Sequence, residues 1–306
     1  MREVEHEIAV SAPAGAVYRL IADVVNWPQV FPPTVHVDQL EHNGSRERIR
    51  IWATADGGPR TWTSRRTLDP GVLRVDFRQE VSQPPVGAMG GSWHVEPRSD
   101  TECVVRLRHD YRAVDDDPEH LAWIDRAVDR NSTAELAALK TRAESGDGLS
   151  FSFSDSVEIH GAAKLVYDFI NDADQWPQRL PHVAGVSLRE PSPGLQILHM
   201  DTTTTDGAVH TTESVRVCFP DEQIFYKQIR TPALMTAHTG AWLLTETDTG
   251  VTATSRHTVV LDPDAVTTVL GAAADTEQAR AFVRSALGAN SRATLNHAKD
   301  YAERSR

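Results

Sequence analysis

The residues that could do chemistry stand out because they interrupt apolar patterns. In the stretch TWTSRRTLDP (61–70), strand alternation places Trp62, Ser64 and Arg66 on one face, together with Leu68. A guanidinium therefore lies between a tryptophan and a leucine. Because burying an unpaired charge is costly, Arg66 is expected to have partners or a function on the inner face of its strand.

Two further elements carry polar residues in phase with apolar ones. His109 shares the apolar face of a strand over 103–111, and Asn131 and Glu135 continue an apolar stripe on a helix over 118–144. Together with the arginine, these groups from separate elements are predicted to converge in an otherwise apolar cavity. Convergence of this kind is the usual sign of a ligand or reaction site.

Each of these residues also has a structural interpretation. An inward histidine is more often a hydrogen-bonded core residue than a catalyst, and Arg66 with Glu135 could form a buried ion pair. Asn131 could satisfy backbone groups, and Trp27 and Trp93 could be core residues. The functional interpretation is favoured because the polar groups converge and because several of them recur in the second half of the chain.

The chain is a duplication of one module. VYRLIADVVNWPQVFPP (17–33) aligns without gaps to VYDFINDADQWPQRLPH (166–182), and later segments match in the same order. The natural joint is the small, polar stretch ESGDGLS (144–150). We therefore predict two domains, 1–146 and 147–306.

The second copy keeps only part of the polar set. The corresponding residues, predicted to form a pocket in the second domain, are Ser214, Arg216, Trp242, His257 and Asn290. Thr294 stands where the first copy has Glu135, so the acid has been lost. This leaves two interpretations open. The second domain has an altered activity, such as dehydration of a cyclised intermediate, or it mainly stabilises the first domain.

The order of elements predicts the architecture of each copy. One strand and two short helices precede a meander of short alternating runs, and a long helix ends the module. These elements pack economically when the sheet curls around the last helix and leaves a cavity between them. We therefore predict an α+β fold of two tandem domains, each a curved antiparallel sheet wrapped around a long C-terminal helix with an internal cavity.

Composition narrows the classes of partner. The 306 residues carry a formal net charge of −12, which argues against nucleic acid and anionic membranes because both require a basic footprint. No Gly-rich phosphate loop, HExxH or CxxC motif occurs, so neither a metal nor a redox cofactor is expected. The segment MREVEHEIAV has no signal-peptide layout and the two cysteines lie far apart, so a reducing cytoplasm is the expected location.

Several short motifs resemble those of one family, the aromatase/cyclases of bacterial type II polyketide synthases, which have the helix-grip, START-like (Bet v1-like) fold. The motifs are FPPT (31–34), TWTSRR (61–66), GGSW (90–93), RHDY (108–111) and RNSTAEL (130–136). The resemblance spans essentially the whole first copy and is weaker in the second. A tandem of two such modules is the layout of the di-domain subclass.

The resemblance implies an enzyme of aromatic polyketide antibiotic biosynthesis. Its substrate would be a poly-β-ketone carried on the phosphopantetheine of an acyl carrier protein, and no other cofactor would be needed. The reaction would be an intramolecular aldol closure of the first ring, with C7–C12 regiochemistry, followed by dehydration. Carrier proteins are acidic, so a local basic patch is expected, with candidates Arg46, Arg48, Arg50, Arg60 and Arg65.

The resemblance also implies roles for residues. Members of the family use a pocket arginine, a histidine and a helix-borne acid, which here fall on Arg66, His109 and Glu135. Arg66 would stabilise the oxyanion, His109 would be the general base with a pKa near working pH, and Glu135 would orient a partner or move a proton. The expected substrate-binding residues are Trp27, Phe31, Trp62, Ser64, Met89, Trp93 and Asn131.

Two other functions remain alternatives. Helix-grip domains also serve as non-catalytic carriers of hydrophobic ligands, and an interaction protein resembling a co-chaperone shares the same fold superfamily. Neither of these functions needs an arginine, a histidine and an acid converging in one pocket, so the enzyme is favoured.

Overall fold

The computed structural model describes residues 1–55, 58–203 and 209–304. The chain divides into two compact units, which we call the N-terminal domain (Met1–Gly146) and the C-terminal domain (Asp147–Arg306). Each contains one seven-stranded sheet, and the elements follow one another in the same order in both. No helix within the described ranges is long and apolar enough to cross a membrane.

The N-terminal domain is a strand meander closed by its own first strand. Its strands are β1 (Arg2–Val10), β2 (Thr34–Asn43), β3 (Arg46–Ala55), β4 (Gly58–Asp69), β5 (Arg74–Gln79), β6 (Val86–Pro97) and β7 (Cys103–Ala113). Its helices are α1 (Ala14–Ala22), α2 (Trp27–Val30) and α3 (Pro118–Glu144). The sheet order is β1-β7-β6-β5-β4-β3-β2, and the paired strands are antiparallel.

The long helix α3 has a defined beginning. The Asp117 carboxylate accepts hydrogen bonds from the backbone N–H groups of Glu119 and His120, at 2.8 and 3.0 Å, and Pro118 occupies the first turn. These two bonds lower the pKa of Asp117. The helix then packs against β1 and β7 and buries Ile124, among other residues. The N-cap therefore sets which side chains of α3 face the sheet.

The C-terminal domain repeats this design. Its strands are β8 (Ser150–Ile159), β9 (Val183–Ser192), β10 (Leu195–Thr203), β11 (Val209–Phe219), β12 (Gln223–Arg230), β13 (Met235–Thr247) and β14 (Gly250–Leu261). Its helices are α4 (Ala163–Asn171), α5 (Trp176–Arg179), α6 (Val266–Leu270) and α7 (Thr276–Arg304). The sheet order β8-β14-β13-β12-β11-β10-β9 is that of the first sheet, and α7 packs against β8 and β14.

Strand alternation sorts the side chains of β7 as the sequence predicts. Val105, Leu107 and Tyr111 are fully buried on the inner face, whereas Arg108 is exposed on the outer face. Fully burying a leucine or valine side chain stabilises the folded state by about 1.5–3 kcal/mol relative to leaving it exposed. His109 lies in phase with the buried set and so faces α3 across the inner side of the sheet.

Candidate active site

His109 is held on the inner face between the sheet and α3. Its Nδ1 lies 3.4 Å from the Ser132 hydroxyl oxygen, and the Phe77 ring packs edge-on with its centroid 5.5 Å away. Burial, reinforced by the nearby His6 ring, lowers the pKa of His109 to about 4. The imidazole is therefore neutral at neutral pH, and the expectation of a histidine that titrates near working pH does not hold.

Glu135 is the acidic group of the inner face. It lies one helical turn after Ser132, on the same side of α3. Part of its surface remains accessible, yet within the described residues its carboxyl has neither a hydrogen-bond nor an ion-pair partner. Burial raises the pKa of Glu135 to about 7. This combination is typical of a carboxyl that lines an enclosed cavity.

Asn131 does not belong to the inner face. Its side chain is exposed, and Ser132 takes the inward position with only 1 % of its surface accessible. At 3.6 residues per turn, the step from the buried Val128 is four residues rather than three. The same correction applies to Asn290, which is exposed.

Arg66 is engaged by the protein. Its Nη1 donates to the Glu47 carboxylate at 2.6 Å and to the Ala22 carbonyl at 3.3 Å, and its Nη2 donates to the Ile21 carbonyl at 2.8 Å. The guanidinium also lies 4.8 Å from the centre of the Trp27 ring. Both members of the ion pair are buried, and desolvation lowers the pKa of Arg66 to about 10, so it stays protonated.

The C-terminal domain repeats this arrangement, which we call the arginine clamp. Arg216 donates to the carbonyls of Ile170 and Asn171 at 2.7 and 3.3 Å and lies 5.6 Å from the Trp176 ring centre. Gln196 pairs with Arg216 in the sheet, where the first domain has its glutamate. In both domains the arginine therefore fastens the last turn of a helix to the sheet.

The clamp corrects two expectations for Arg66. The residue is 2 % exposed and both terminal nitrogens have protein acceptors, so it does not present itself to a substrate carbonyl. The alternative ion pair with Glu135 is also wrong, because the carboxylate partner is Glu47.

The expected lining residues separate into two sets. Trp62 and Met89 keep part of their surface accessible on the inner face, as does Phe77. Ser64, Phe31 and Trp93 are buried, at 3, 3 and 6 %, and Phe31 and Trp93 pack with ring centroids 5.8 Å apart. Trp27 donates from Nε1 to the Ile21 carbonyl at 3.1 Å and packs in the clamp. These buried residues therefore pack in the core beneath the site and do not line it.

Sequence reasoning missed several residues of the site. Glu47 had a detectable signal, since it is in phase with Ile49 and Ile51 on β3, both buried. Ser132 follows from the correct helix phase. His6 gave no clear signal: its Nε2 lies 3.0 Å from an Asp129 carboxylate oxygen, and only its proximity in space links it to the site histidine.

The C-terminal domain has no carboxylate at the position of Glu135. Ser214, Arg216, Trp242 and His257 are all buried at less than 9 % exposure. Thr294, at the position of Glu135, donates its hydroxyl to the Asn290 carbonyl at 3.0 Å. The second domain therefore lacks the carboxyl that the first domain has on its long helix at this position, whereas Asp155 on β8 lies near His257 and pairs with Arg292 at 2.9 Å.

Among the described residues of the N-terminal domain, one groove of about 620 Å³ is lined by outer-face side chains such as Arg65, Arg78 and Arg108, together with Phe77 and His109. Another open groove lies beside α3. It measures about 770 Å³ and lies between Pro84 and Pro85 on one side and α3 on the other, with Trp123 in its wall.

In the part of the chain that the structure describes, no three His, Cys, Asp or Glu side chains are grouped so that they could hold a metal ion.

Comparison with known proteins decides the family. Two models described as polyketide cyclase/dehydrase and lipid transport match residues 10–132 and 150–303. The granaticin polyketide synthase bifunctional cyclase/dehydratase of Streptomyces violaceoruber is 48 % identical over 98 % of this chain and 94 % of its own length. This chain belongs to the polyketide cyclase/dehydrase family. The resemblance seen in its sequence motifs is thereby confirmed.

Other members of the family match this chain in sequence or structure over almost its full length. The actinorhodin polyketide synthase bifunctional cyclase/dehydratase of Streptomyces coelicolor is 47 % identical over 96 % of this chain and 95 % of its own. The crystal structure of the di-domain aromatase/cyclase BexL, from the BE-7585A biosynthetic pathway, superimposes with a TM-score of 0.93, 61 % identity and 99 % coverage of both chains. That of StfQ, from the steffimycin pathway, gives 0.87 with 36 % identity and 98 % coverage of both.

The predicted fold and enzyme class are confirmed by these relatives. The chain has two tandem START-like domains and is a bacterial-type cyclase/dehydratase of polyketide biosynthesis. The non-catalytic carrier is the weaker alternative, because the relatives that match the full chain are named as enzymes.

The arginine clamp makes a prediction about stability. Arg66→Ala leaves the Glu47 carboxylate buried without its partner, so we expect the free energy of unfolding to fall by about 3–5 kcal/mol. Arg65→Ala is the matched control, because Arg65 is the exposed neighbour of Arg66 and pairs with the Glu80 carboxylate at 2.6 Å. The effect of this control should stay within about 1 kcal/mol. Urea unfolding followed by circular dichroism measures both, and equal effects would contradict the clamp.

A second variant separates charge from geometry. Glu47→Gln installs in the N-terminal domain the amide that the C-terminal domain has at Gln196. Because the amide oxygen can still accept from the guanidinium, we expect a smaller loss of unfolding free energy than Arg66→Ala causes. If both variants were equally unstable, a neutral acceptor would not suffice and the equivalence of the two clamps would be refuted.

Proposed function

We propose that the enzyme closes the first ring of a poly-β-ketone by an intramolecular aldol reaction and then removes water. The substrate would be tethered to an acyl carrier protein, ring closure would be C7–C12, and the reaction would take place in the cytoplasm. Full-length relatives named as bifunctional cyclase/dehydratases support the reaction class. The single observation that carries the residue assignment is the unpaired, desolvated carboxyl of Glu135 on the inner face.

Glu135 is the proposed acid–base catalyst. Aldol closure removes a proton from a carbon between two carbonyls and later protonates the alkoxide formed at the attacked ketone. A group with a pKa of about 7 takes up and releases a proton with nearly equal ease at neutral pH. The proton removed from carbon can pass to the Glu135 carboxylate and from there to the alkoxide oxygen, so the step needs no other proton source.

His109 is proposed to act as a neutral hydrogen-bond donor. When Ser132 donates its hydroxyl to Nδ1, the hydrogen of the neutral ring lies on Nε2. That N–H can donate to a ketone oxygen and stabilise the enolate or alkoxide as charge develops. The arrangement resembles other sites in which a neutral imidazole polarises a carbonyl while a carboxylate moves the proton.

The partly exposed inner-face side chains are proposed to shape the substrate. Trp62, Phe77 and Met89 offer accessible apolar surface on the inner face, and the Phe77 ring packs against His109. A poly-β-ketone chain can close into several different rings. If the site holds the chain so that the nucleophilic carbon reaches only one ketone, a single ring closure is selected. Regiochemistry would therefore depend on this wall, and proton transfer on Glu135.

The carrier protein is proposed to dock on the outer face of β3 and β4. Arg46, Arg48, Arg50 and Arg65 share that face, whereas Arg60 lies on the opposite one. Arg48 and Arg65 both donate to the Glu80 carboxylate, at 2.6 Å each, so part of their charge is compensated.

The acid–base assignment predicts the behaviour of Glu135→Gln. Reconstitution with an upstream polyketide synthase, followed by mass spectrometry, should show at least about 100-fold slower formation of the cyclised product and a return to spontaneous shunt products. Glu119→Gln, which changes an exposed glutamate on the same helix, is the matched control and should behave as the wild type. An unchanged product ratio in Glu135→Gln would refute the assignment.

The same substitution should not destabilise the protein. Because the native state binds the Glu135 proton more tightly than the unfolded chain does, ionisation of this carboxyl opposes folding between the ordinary carboxyl pKa and about 7 and at all higher pH. At pH 8 we therefore expect Glu135→Gln to unfold at a temperature equal to or above that of the wild type. A marked loss of stability would show instead that the carboxylate is a structural group.

The pH dependence of turnover gives an independent test. If Glu135 accepts the first proton, this carboxyl must be ionised in the enzyme that captures the substrate, so kcat/KM should rise with pH through an inflection near 7. His109, neutral well below this range, should add no inflection between pH 5 and 8. A rate that falls as pH rises through 7 would contradict the role of Glu135 as base.

A further inference from the structure

The inner face of the C-terminal domain carries a hydrogen-bonded cluster that the proposed reaction does not use. We call it the Tyr226 network. His257 Nδ1 lies 3.1 Å from the Tyr226 hydroxyl and 3.0 Å from His238 Nε2, and His257 Nε2 lies 2.9 Å from the Ser255 hydroxyl. The two imidazole rings stack with centroids 5.3 Å apart.

The N-terminal domain shows that the fold does not require this network. Sheet register places Phe77 where the second domain has Tyr226, Met89 where it has His238 and Leu107 where it has Ser255. The histidine alone is common to both copies. Three polar residues therefore replace three apolar ones at equivalent inner-face positions of the same architecture.

The Tyr226 network also lowers the stability of the folded domain. His238, Ser255 and His257 are 2, 1 and 4 % exposed, and His238 Nδ1 has no hydrogen-bond partner among the residues that the structure describes. An unsatisfied buried polar atom opposes folding. Because the first copy achieves the same packing without this cost, the polar set points to a role beyond packing.

Tyr226 connects the network to accessible space. It is the member that keeps part of its surface exposed, and Gly240 leaves room for its ring, since a Cβ there would lie 2.3 Å from the phenol. The inner-face residues Val186, Leu188 and Met200 are also partly exposed and apolar. Tyr226 and these three apolar residues therefore pack against the same inner-face cluster, and each keeps part of its surface accessible.

The hydrogen bonds allow the phenol proton to point in either direction. Burial lowers the pKa of His257 to about 4 and that of His238 to about 3, so each neutral ring carries one hydrogen. With the hydrogen of His257 on Nε2, toward Ser255, Nδ1 accepts from Tyr226. With it on Nδ1, that N–H can donate to the phenol oxygen or to His238 Nε2, and the phenol O–H is free to donate to a ligand.

We propose that the C-terminal domain contains a second ligand site in which the Tyr226 hydroxyl donates to a keto or hydroxyl oxygen of a carbocyclic polyketide intermediate. The chemical class of the ligand rests on the proposed function. Thr294 replaces the catalytic carboxyl in this domain, so the site binds and orients the ring rather than repeating the aldol step. The apolar surface beside Tyr226 would receive the ring, and the network would orient the single polar contact.

The test is a titration of the full-length protein, labelled with ¹⁵N in its histidine rings, with naphthalene-1,8-diol as a stable bicyclic probe. We expect the ring nitrogen signals of His257 and His238, assigned through His238→Met, to shift on saturation. His109 reports the N-terminal site in the same spectra. Shifts at His109 without shifts at His257 would overturn the second site and leave the proposed function intact. Binding that moves none of these histidines would also overturn the second site.

A variant tests the contact itself. Tyr226→Phe installs the residue that the first domain has at Phe77, so we expect this variant to fold. The affinity for the probe, measured from the shift at His257, should fall by about fivefold to tenfold, because one hydrogen bond is lost. Tyr301→Phe, on α7, is the control and should leave the affinity unchanged. If Tyr226→Phe, with a native circular dichroism spectrum, bound as tightly as the wild type, the phenol would be a packing residue and the proposal would fail.

Discussion

Removal of inner-face side chains from bulk water is the constraint on which the rest of this structure depends. Where a sheet packs against one long helix, the ionisable groups between them lose hydration, and the pKa of each buried group responds according to its partners. Arg66 keeps its charge because Glu47 and two helix carbonyls compensate it. Glu135 has no such partner, so the pKa of its carboxyl rises to about 7. The same burial thus lowers the pKa of the Arg66 guanidinium and raises that of the Glu135 carboxyl.

The duplication allows each feature to be assigned to the fold or to the chemistry. The arginine, the tryptophan and the helix carbonyls of the clamp occur in both domains, so they belong to the architecture. The carboxyl at the position of Glu135 is replaced by Thr294 in the second domain, and the tyrosine–histidine network of the second domain is replaced by apolar residues in the first. Features that differ between copies of one fold are the ones that the fold does not demand. We assign those features to function.

The sequence alone predicts much of this architecture, for a physical reason. Strand alternation has a period of two, so it placed Arg66 and His109 on the inner face, and the repeat revealed the second domain. Helix phase is less certain, because 3.6 residues per turn allow a step of three or four. That ambiguity put Asn131 inward in place of Ser132.

What the sequence could not predict is the pairing and solvation of the polar groups. Glu47 lies on the strand next to Arg66, and only the register of β3 against β4 brings the two together. The pKa values of Glu135 and His109 likewise depend on burial. A histidine begins with a pKa near neutrality and a carboxyl does not, but burial moves the first down and the second up. Desolvation is a property of the folded state and has no local sequence signal.

The central claim is that the Glu135 carboxyl titrates near neutrality in the folded enzyme. The most direct measurement is ¹³C NMR of protein labelled at the glutamate side-chain carboxyl carbon, followed as a function of pH, with the Glu135 signal assigned by its absence in Glu135→Gln. The account predicts a titration midpoint of about 7 for this one glutamate. A midpoint near the ordinary value of about 4.3 would contradict it, because the carboxyl would then be hydrated and permanently ionised at working pH.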